Sequence, residues 1–255
     1  QAGVRGFKAF LIESGVPEFP YATQDVLREA MPILARHKIP LLVHAEREGT
    51  APTMHPGTRA YGDYLASRPR DWENQAVREM IALARETRCP VHIVHLSSSD
   101  VLKDLRAARA EGLPVTAETC PHYLLFASEE IPEGATHFKC APPIREAENR
   151  ERLWNGLEEG DIDFIVSDHS PCTPTLKLVE SGDFQRAWGG ISSLQFGLSL
   201  IWGEARRRGI SLETVIDWMS RRTARFAGLS SKGSLSPGKD ADLVVWDPDR
   251  PVKIG

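Results

Sequence analysis

The chain has 255 residues with Lys+Arg 31 against Asp+Glu 35, a formal charge of -4, and 41% hydrophobic residues. That is the balance of a globular protein with room for one large domain or a barrel plus an appendage. Interspersed charge of this size makes no field for a phosphate backbone or an anionic membrane, so nucleic-acid and membrane partners are disfavoured. No apolar run approaches the ~18 residues that cross a bilayer, and QAGVRGFKAF lacks the pattern of a signal sequence, so a cytoplasmic location is expected. Cys89, Cys120, Cys140 and Cys172 form no CxxC pair and read as reduced thiols.

Along the chain, five mostly apolar runs predict strands buried on both faces: Val4 to Leu11, Pro40 to Ala45, Pro90 to Leu96, Pro114 to Thr119 and Ile162 to Asp168. Helical spacing lies between them. Thr23 to His37 carries Val26, Leu27, Ala30, Ile33 and Leu34, with Pro32 expected to kink or break it. Glu73 to Thr87 and Ser99 to Ala110 follow, the second opening on Ser and Asp cap candidates. Arg47 to Asp71 and Ser170 to Gly190 are long connections of the kind that form lids or binding loops. Further helices are expected over Ile191 to Arg208 and Leu212 to Phe226. After Gly228 turn residues flank one alternating strand, Asp242 to Trp246. The division is therefore a barrel-type domain over 1–227 and the beginning of a small β domain over 228–255.

Strand, helix, strand with right-handed crossovers means a parallel sheet, either doubly wound or closed as a (β/α)8 barrel. Lys8, His44, His95 and Asp168 fall at or near the C-terminal ends of their strands, the face on which such barrels assemble sites, and this favours the barrel. Either histidine alone is more commonly a core imidazole held by a carbonyl than a metal ligand. Asp168 directly follows an apolar strand, where an unpaired charge would cost several kcal/mol, so it needs a cation or strong donors; capping the next loop through the Ser170 backbone is the lesser alternative. His169 reads as a loop residue or a support for the site. Lys8 is flanked by Phe7 and Ala9-Phe10, an apolar setting expected to lower its pKa from about 10.4 and favour the neutral amine that takes up carbon dioxide as a carbamate. For Lys8 by itself, snorkelling out at the strand end is the more economical reading. His92 and His95, spaced HxxH on one strand, are expected by alternation to point to opposite faces.

As a set, Lys, His, His and Asp on strands in that order resemble the amidohydrolase superfamily with a carbamylated-lysine binuclear centre. VHAE (43–46), HIVHLSS (92–98), ETCPHYL (118–124), KCAPPIR (139–145), SDHSPC (167–172) and PGKDADLVVWDP (237–248) narrow the resemblance to the cyclic amidohydrolases, and within them to allantoinases. Dihydroorotases usually show Asn where Ala141 stands and a His-like ending where Cys172 stands. Hydantoinases usually carry Tyr at the position of Glu13, and GGISSLQ (189–195) looks like the allantoinase form of the substrate loop.

The resemblance implies a zinc-type binuclear site, with cobalt, manganese or iron as other candidates, and carbon dioxide bound as the Lys8 carbamate. It implies that Lys8 bridges the two ions, His44 and His95 bind one, and Asp168 binds the other. Asp168 would act as general base and then general acid while a metal-bridged hydroxide opens the ring of allantoin to allantoate, a step of purine catabolism. Ala141, Gly190 and Ser192 would hold the ring amides, and the protein would be a homo-oligomer, a tetramer in the family, acting on a small cyclic ureide. The family also has an HxH pair on the first barrel strand, and the sequence contains none, so the chain is expected to be the C-terminal part of a barrel and inactive by itself. A dihydroorotase, a hydantoinase or a non-catalytic scaffold relative is the other outcome at this stage.

Overall fold

The computed structural model describes residues 3–250. Five parallel strands, β1 (Phe7–Phe10), β2 (Leu41–His44), β3 (Val91–Ile93), β4 (Val115–Thr119) and β5 (Phe164–Ile165), lie side by side in chain order. Each is the centre of one predicted run. Pro40, Pro90 and Pro114 stand just before β2, β3 and β4, where a residue without N–H breaks no ladder bond, and their carbonyls accept from Phe7, Leu41 and Val91 of the neighbouring strands.

Register makes the division of labour in the sheet explicit. Phe7, Leu41, Val91 and Val115 align, as do Ala9, Val43, Ile93 and Ala117, while the intervening row reads Lys8, Leu42, His92 and Thr116. Because side chains alternate along a strand, the two apolar rows share one face and the polar row takes the other. Leu41, Val43, Val91, Ile93, Val115 and Ala117 are all buried, in one core with Leu27, Met31, Met80 and Leu105 from the helices. The helices thus cover the apolar face, and the polar row faces what a parallel barrel encloses.

The helix Gln24–His37 is capped by the Thr23 side chain, which accepts from Val26 N, and it runs through Pro32 without the expected break. A proline there removes one intrahelical donor, but Leu27, Met31 and Leu34 bury one stripe against the core and hold the segment helical. The helix predicted from Ile191 starts only at Gly197, because the backbone of Ile191 is bonded to Ser170 and so cannot enter a helix. Leu212 to Phe226 is helical but changes to a wider π turn over Asp217–Arg221, which carries the fully buried Trp218. Two helices that the sequence pattern did not signal, Pro121–Leu125 and Ala147–Glu158, follow β4 and precede β5.

Residues 242–246 correct the sequence reading. They carry no strand pairing among the described residues, and Val244 and Val245 are 78% and 99% exposed. An alternating sequence becomes a strand only when a second strand accepts its ladder, and none lies beside it here. Residues 251–255 of the expected β unit lie outside the described residues.

Candidate metal centre

His44 is the last residue of β2, two positions after Leu42 and therefore on the polar face with Lys8. Its Nδ1 lies 3.0 Å from His95 Nε2, and its Nε2 lies 2.8 Å from Glu46 Oε2. Glu46 is fully buried and takes two bonds from Arg68, Nε at 3.1 Å and Nη2 at 2.5 Å. Burial would raise this carboxyl, but the Arg68 guanidinium and then His44 more than offset it and hold it well below the usual carboxylate range. An ionised carboxylate only accepts, so His44 carries its proton on Nε2 and presents the Nδ1 lone pair to His95.

β3 ends at Ile93, and His95 has φ 43. This left-handed turn is uncommon outside glycine and overrides simple alternation, bringing the imidazole to His44. His92 occupies the polar row deeper in the sheet, bonded to Thr116 Oγ1 at 2.7 Å and Glu118 Oε2 at 3.0 Å. The expectation that His92 and His95 point to opposite faces therefore fails. Burial first, then the charges of His44 and Lys8, hold His95 well below its ordinary pKa, so it is a neutral imidazole with Nδ1 unpartnered.

Asp168 has the same device. It follows β5 by three residues with φ 41, and burial raises its carboxyl, opposed by Lys8 and His44 and reinforced by Glu118. Lys8 thus lies within electrostatic reach of both His95 and Asp168, its Nζ 5.0 Å from the centre of the Phe10 ring. Its surroundings differ from the expectation. Among the described residues Lys8 is exposed and its strand is paired on one side only, not enclosed by apolar neighbours as expected.

Two imidazoles 3.0 Å apart, with a carboxylate and a lysine within electrostatic reach of them, suit a divalent cation of the zinc type. Nitrogen ligands on one tetrahedral ion stand about 3.3 Å apart at bond lengths of about 2.05 Å, close to the 3.0 Å observed. The donor set fits.

Loops around this end are held by buried polar groups. Glu73 accepts from the backbone N–H of Ser97 and Ser98, and Arg145 pairs with it. Tyr61, Tyr64 and Tyr123 donate their hydroxyls to the carbonyls of Ile144, Cys140 and Pro142, fixing the segment that contains Ala141. Gly190, with φ 121, donates to Lys139 O at 2.8 Å, and a Cβ there would run into the Ser170 carbonyl. A Cβ on the adjoining Gly189 would lie 4.0 Å from Ala141 N, so this loop runs beside the Ala141 segment. Ser192 is exposed. His169 Nδ1 accepts from the N–H of Ser193 and Leu194, a loop anchor.

Sequence reasoning missed Glu46 as the partner of His44, although VHAE holds the signal: a carboxylate two residues past the histidine. It also missed Cys120 and His122. Their Sγ and ring nitrogen lie with an Asp168 oxygen all within 4.8 Å of one another. His122 has neither ring nitrogen hydrogen-bonded, and burial lowers its pKa to about 3.

A stability prediction follows from that burial. His122 has a folded pKa below its unfolded one, so its contribution is present above about pH 6.5 and is lost as pH falls toward about 3. Glu73 and Asp168 have raised pKa values and act in the opposite sense, adding stability as pH falls through folded pKa values that lie above the ordinary carboxylate range. Between about pH 6.5 and pH 4.5 stability should fall by on the order of 1 kcal/mol per pH unit from His122. Thermal unfolding across that window should show a flatter curve for H122Q than for the parent.

The chain belongs to the amidohydrolase family, whose model matches residues 4–254. It is 53% identical to the allantoinase of Streptomyces avermitilis over 99% of this chain and 56% of that protein. It is 48% identical to the allantoinase of Arabidopsis thaliana over 97% of this chain and 51% of that one. Among solved structures, the L-hydantoinase (dihydropyrimidinase) from Arthrobacter aurescens superposes with a TM-score of 0.85 at 30% identity, over 94% of this chain and 55% of that chain. The chain thus spans about half the length of the curated relatives it matches, and its five parallel strands are part of a TIM-type barrel. No described helix is long and apolar enough to cross a membrane.

Proposed function

We propose that the protein carrying this chain hydrolyses allantoin to allantoate. The observation that carries the reading is the pair of facing nitrogens, His44 Nδ1 and His95 Nε2, 3.0 Å apart, with Asp168 within electrostatic reach of His44. The choice of ring rests on the similarity to allantoinases. In the reaction, water adds to the hydantoin carbonyl carbon, the ring C–N bond breaks, and the nitrogen leaves with a proton.

His44 and His95 would hold one divalent ion, Asp168 a second, and Lys8 would bridge them as its carbamate; zinc is the proposed metal. When bound, these ions supply Lewis-acid activation of water and carbonyl. Asp168 takes the proton of the attacking water and returns it to the departing nitrogen, a role suited to a carboxyl whose pKa burial has raised. Glu46 orients His44 through the Nε2–H, so that Nδ1 alone is free to ligate. Gly190 and the Ala141 segment present backbone groups for the ring amides, and Ser192 would join them only after the loop moves inward. A cytoplasmic homo-oligomer, with residues 228–255 opening a separate β unit, completes the reading.

The test is ring opening by the protein expressed with its whole natural reading frame, against allantoin, hydantoin and dihydroorotate, before and after chelation. Turnover of allantoin that is lost on chelation and restored by zinc is expected, and no turnover of any of the three rings would sink the reading. Glu46→Gln should lower metal affinity about 10- to 100-fold, measured by competition with a chromophoric chelator, since the amide leaves His44 with a weaker acceptor.

A further inference from the structure

Cys120 and His122 are used by nothing in that mechanism, yet they are buried at 0% and 2% exposure against its central carboxylate. Cys120 follows β4 directly, and Pro121 begins the short helix that carries His122. Asp168 comes from the neighbouring strand β5, so three consecutive features of the topology deliver one sulfur, one nitrogen and one oxygen to a single point. A buried imidazole with neither nitrogen bonded is rare, because each unmet polar atom costs free energy.

We propose that Cys120, His122 and Asp168 form a second cation site, one that takes a soft, thiophilic divalent ion such as cadmium and inhibits by drawing Asp168 away from the histidine pair. Ligands of a tetrahedral ion with bonds of about 2.1–2.3 Å stand roughly 3.4–3.7 Å apart, so the three atoms close on an ion with side-chain shifts of about 1 Å. Thiolate and carboxylate together balance the two positive charges of the ion. The mixed sulfur, nitrogen and oxygen set selects cadmium or zinc over magnesium or manganese. Cys120 is fully buried, so filling the site takes an ion with strong sulfur affinity, whose binding displaces the thiol proton. On binding, the S–H bond is replaced by a sulfur–metal bond, the proton goes to solvent, and no electrons are transferred.

The inhibitory consequence rests on the function proposed above; the ion site does not. The histidine pair, Lys8 and Asp168 contain no sulfur, so a sulfur-to-cadmium ultraviolet charge-transfer band separates cysteine ligation from cadmium in the other centre, and the cysteine variants assign it to Cys120. Titrating the whole protein with cadmium chloride should give such a band saturating at a single equivalent, with activity lost in parallel. C120S should abolish the band, and H122Q should shift its midpoint about 10- to 100-fold higher, both retaining turnover without cadmium. C172S, at the partly exposed cysteine, should change neither. No band in the parent, or a band that survives C120S, overturns the site, and a band without inhibition overturns the inhibitory role. A band lost in C120S from a protein that opens no allantoin upholds the site while refuting the function.

Discussion

Replacing Asp168 by asparagine is expected to lower kcat/KM for allantoin by at least about 10⁴-fold without lowering the thermal midpoint. Both halves come from the same geometry. The carboxylate is asked to ligate an ion and to move a proton, and general acid–base action alone contributes about 10²–10⁴-fold. Asparagine keeps the shape but has no basic oxygen for the water proton and no charge for the ion. Its effect on the fold runs the other way. Burial disfavours the charged form of Asp168, as its raised pKa shows, and the neutral amide removes that penalty while retaining an acceptor oxygen. Steady-state kinetics and thermal unfolding of the same preparation check the split. Activity above about 1% of the parent, on the scale of general-base effects, would remove Asp168 from the proton path.

His44, His95 and Asp168 could be picked out because each lies at or near the end of an apolar run, where strands stop at the mouth of a parallel sheet, and Lys8 because it is a charge inside one. The extent of those strands was less legible. Val4 to Leu11 reduces to Phe7–Phe10 and Ile162 to Asp168 to Phe164–Ile165, because apolarity continues into the turns that pack at the mouth. Ala147–Glu158 was missed as a helix since its buried face is only Leu153, Trp154 and Leu157 among charged residues, with Asn149 spent on Ser97 and Ser99. Pro32 misled in the other direction, since local propensity is weaker than the burial of Met31 beside it.

Within the site, what escaped the sequence is what depends on backbone turns and on long-range partners. Alternation cannot foresee the left-handed turns at His95 and Asp168, which together re-aim two of the four side chains. Glu46 reads as a surface charge until Arg68, from a connection 22 positions further on, is seen to neutralise it. The exposure of Lys8 shows the same limit. Flanking phenylalanines promised a dry environment, but burial is decided by what covers the strand, and β1 is paired on one side only among the described residues.

Allantoin should be opened faster than dihydroorotate by about 10⁴-fold in kcat/KM, the range reached when a site leaves a buried polar group of the wrong ring unpaired. The two rings differ in charge: dihydroorotate bears a carboxylate where allantoin bears a neutral ureido group. A carboxylate needs a free cation, and four basic side chains near these loops are already committed. Arg68 is bound to Glu46 and Arg145 to Glu73. Lys139 Nζ donates to the carbonyls of Gln185 and Ala187, and Lys177 Nζ to those of Lys139 and Gly190. Burial, with Arg68 and Lys177 nearby, lowers Lys139 to about 8, which weakens its claim on an anion further. Ala141 offers no side-chain amide where dihydroorotases usually have one, so nothing in that segment replaces the missing donor. A ureido group instead asks for neutral acceptors and donors, which the backbone of Gly190 and its neighbours can supply. Side-by-side kinetics with the two rings under identical metal loading decide the matter, and comparable kcat/KM values would show that a cation reaches the ring after all.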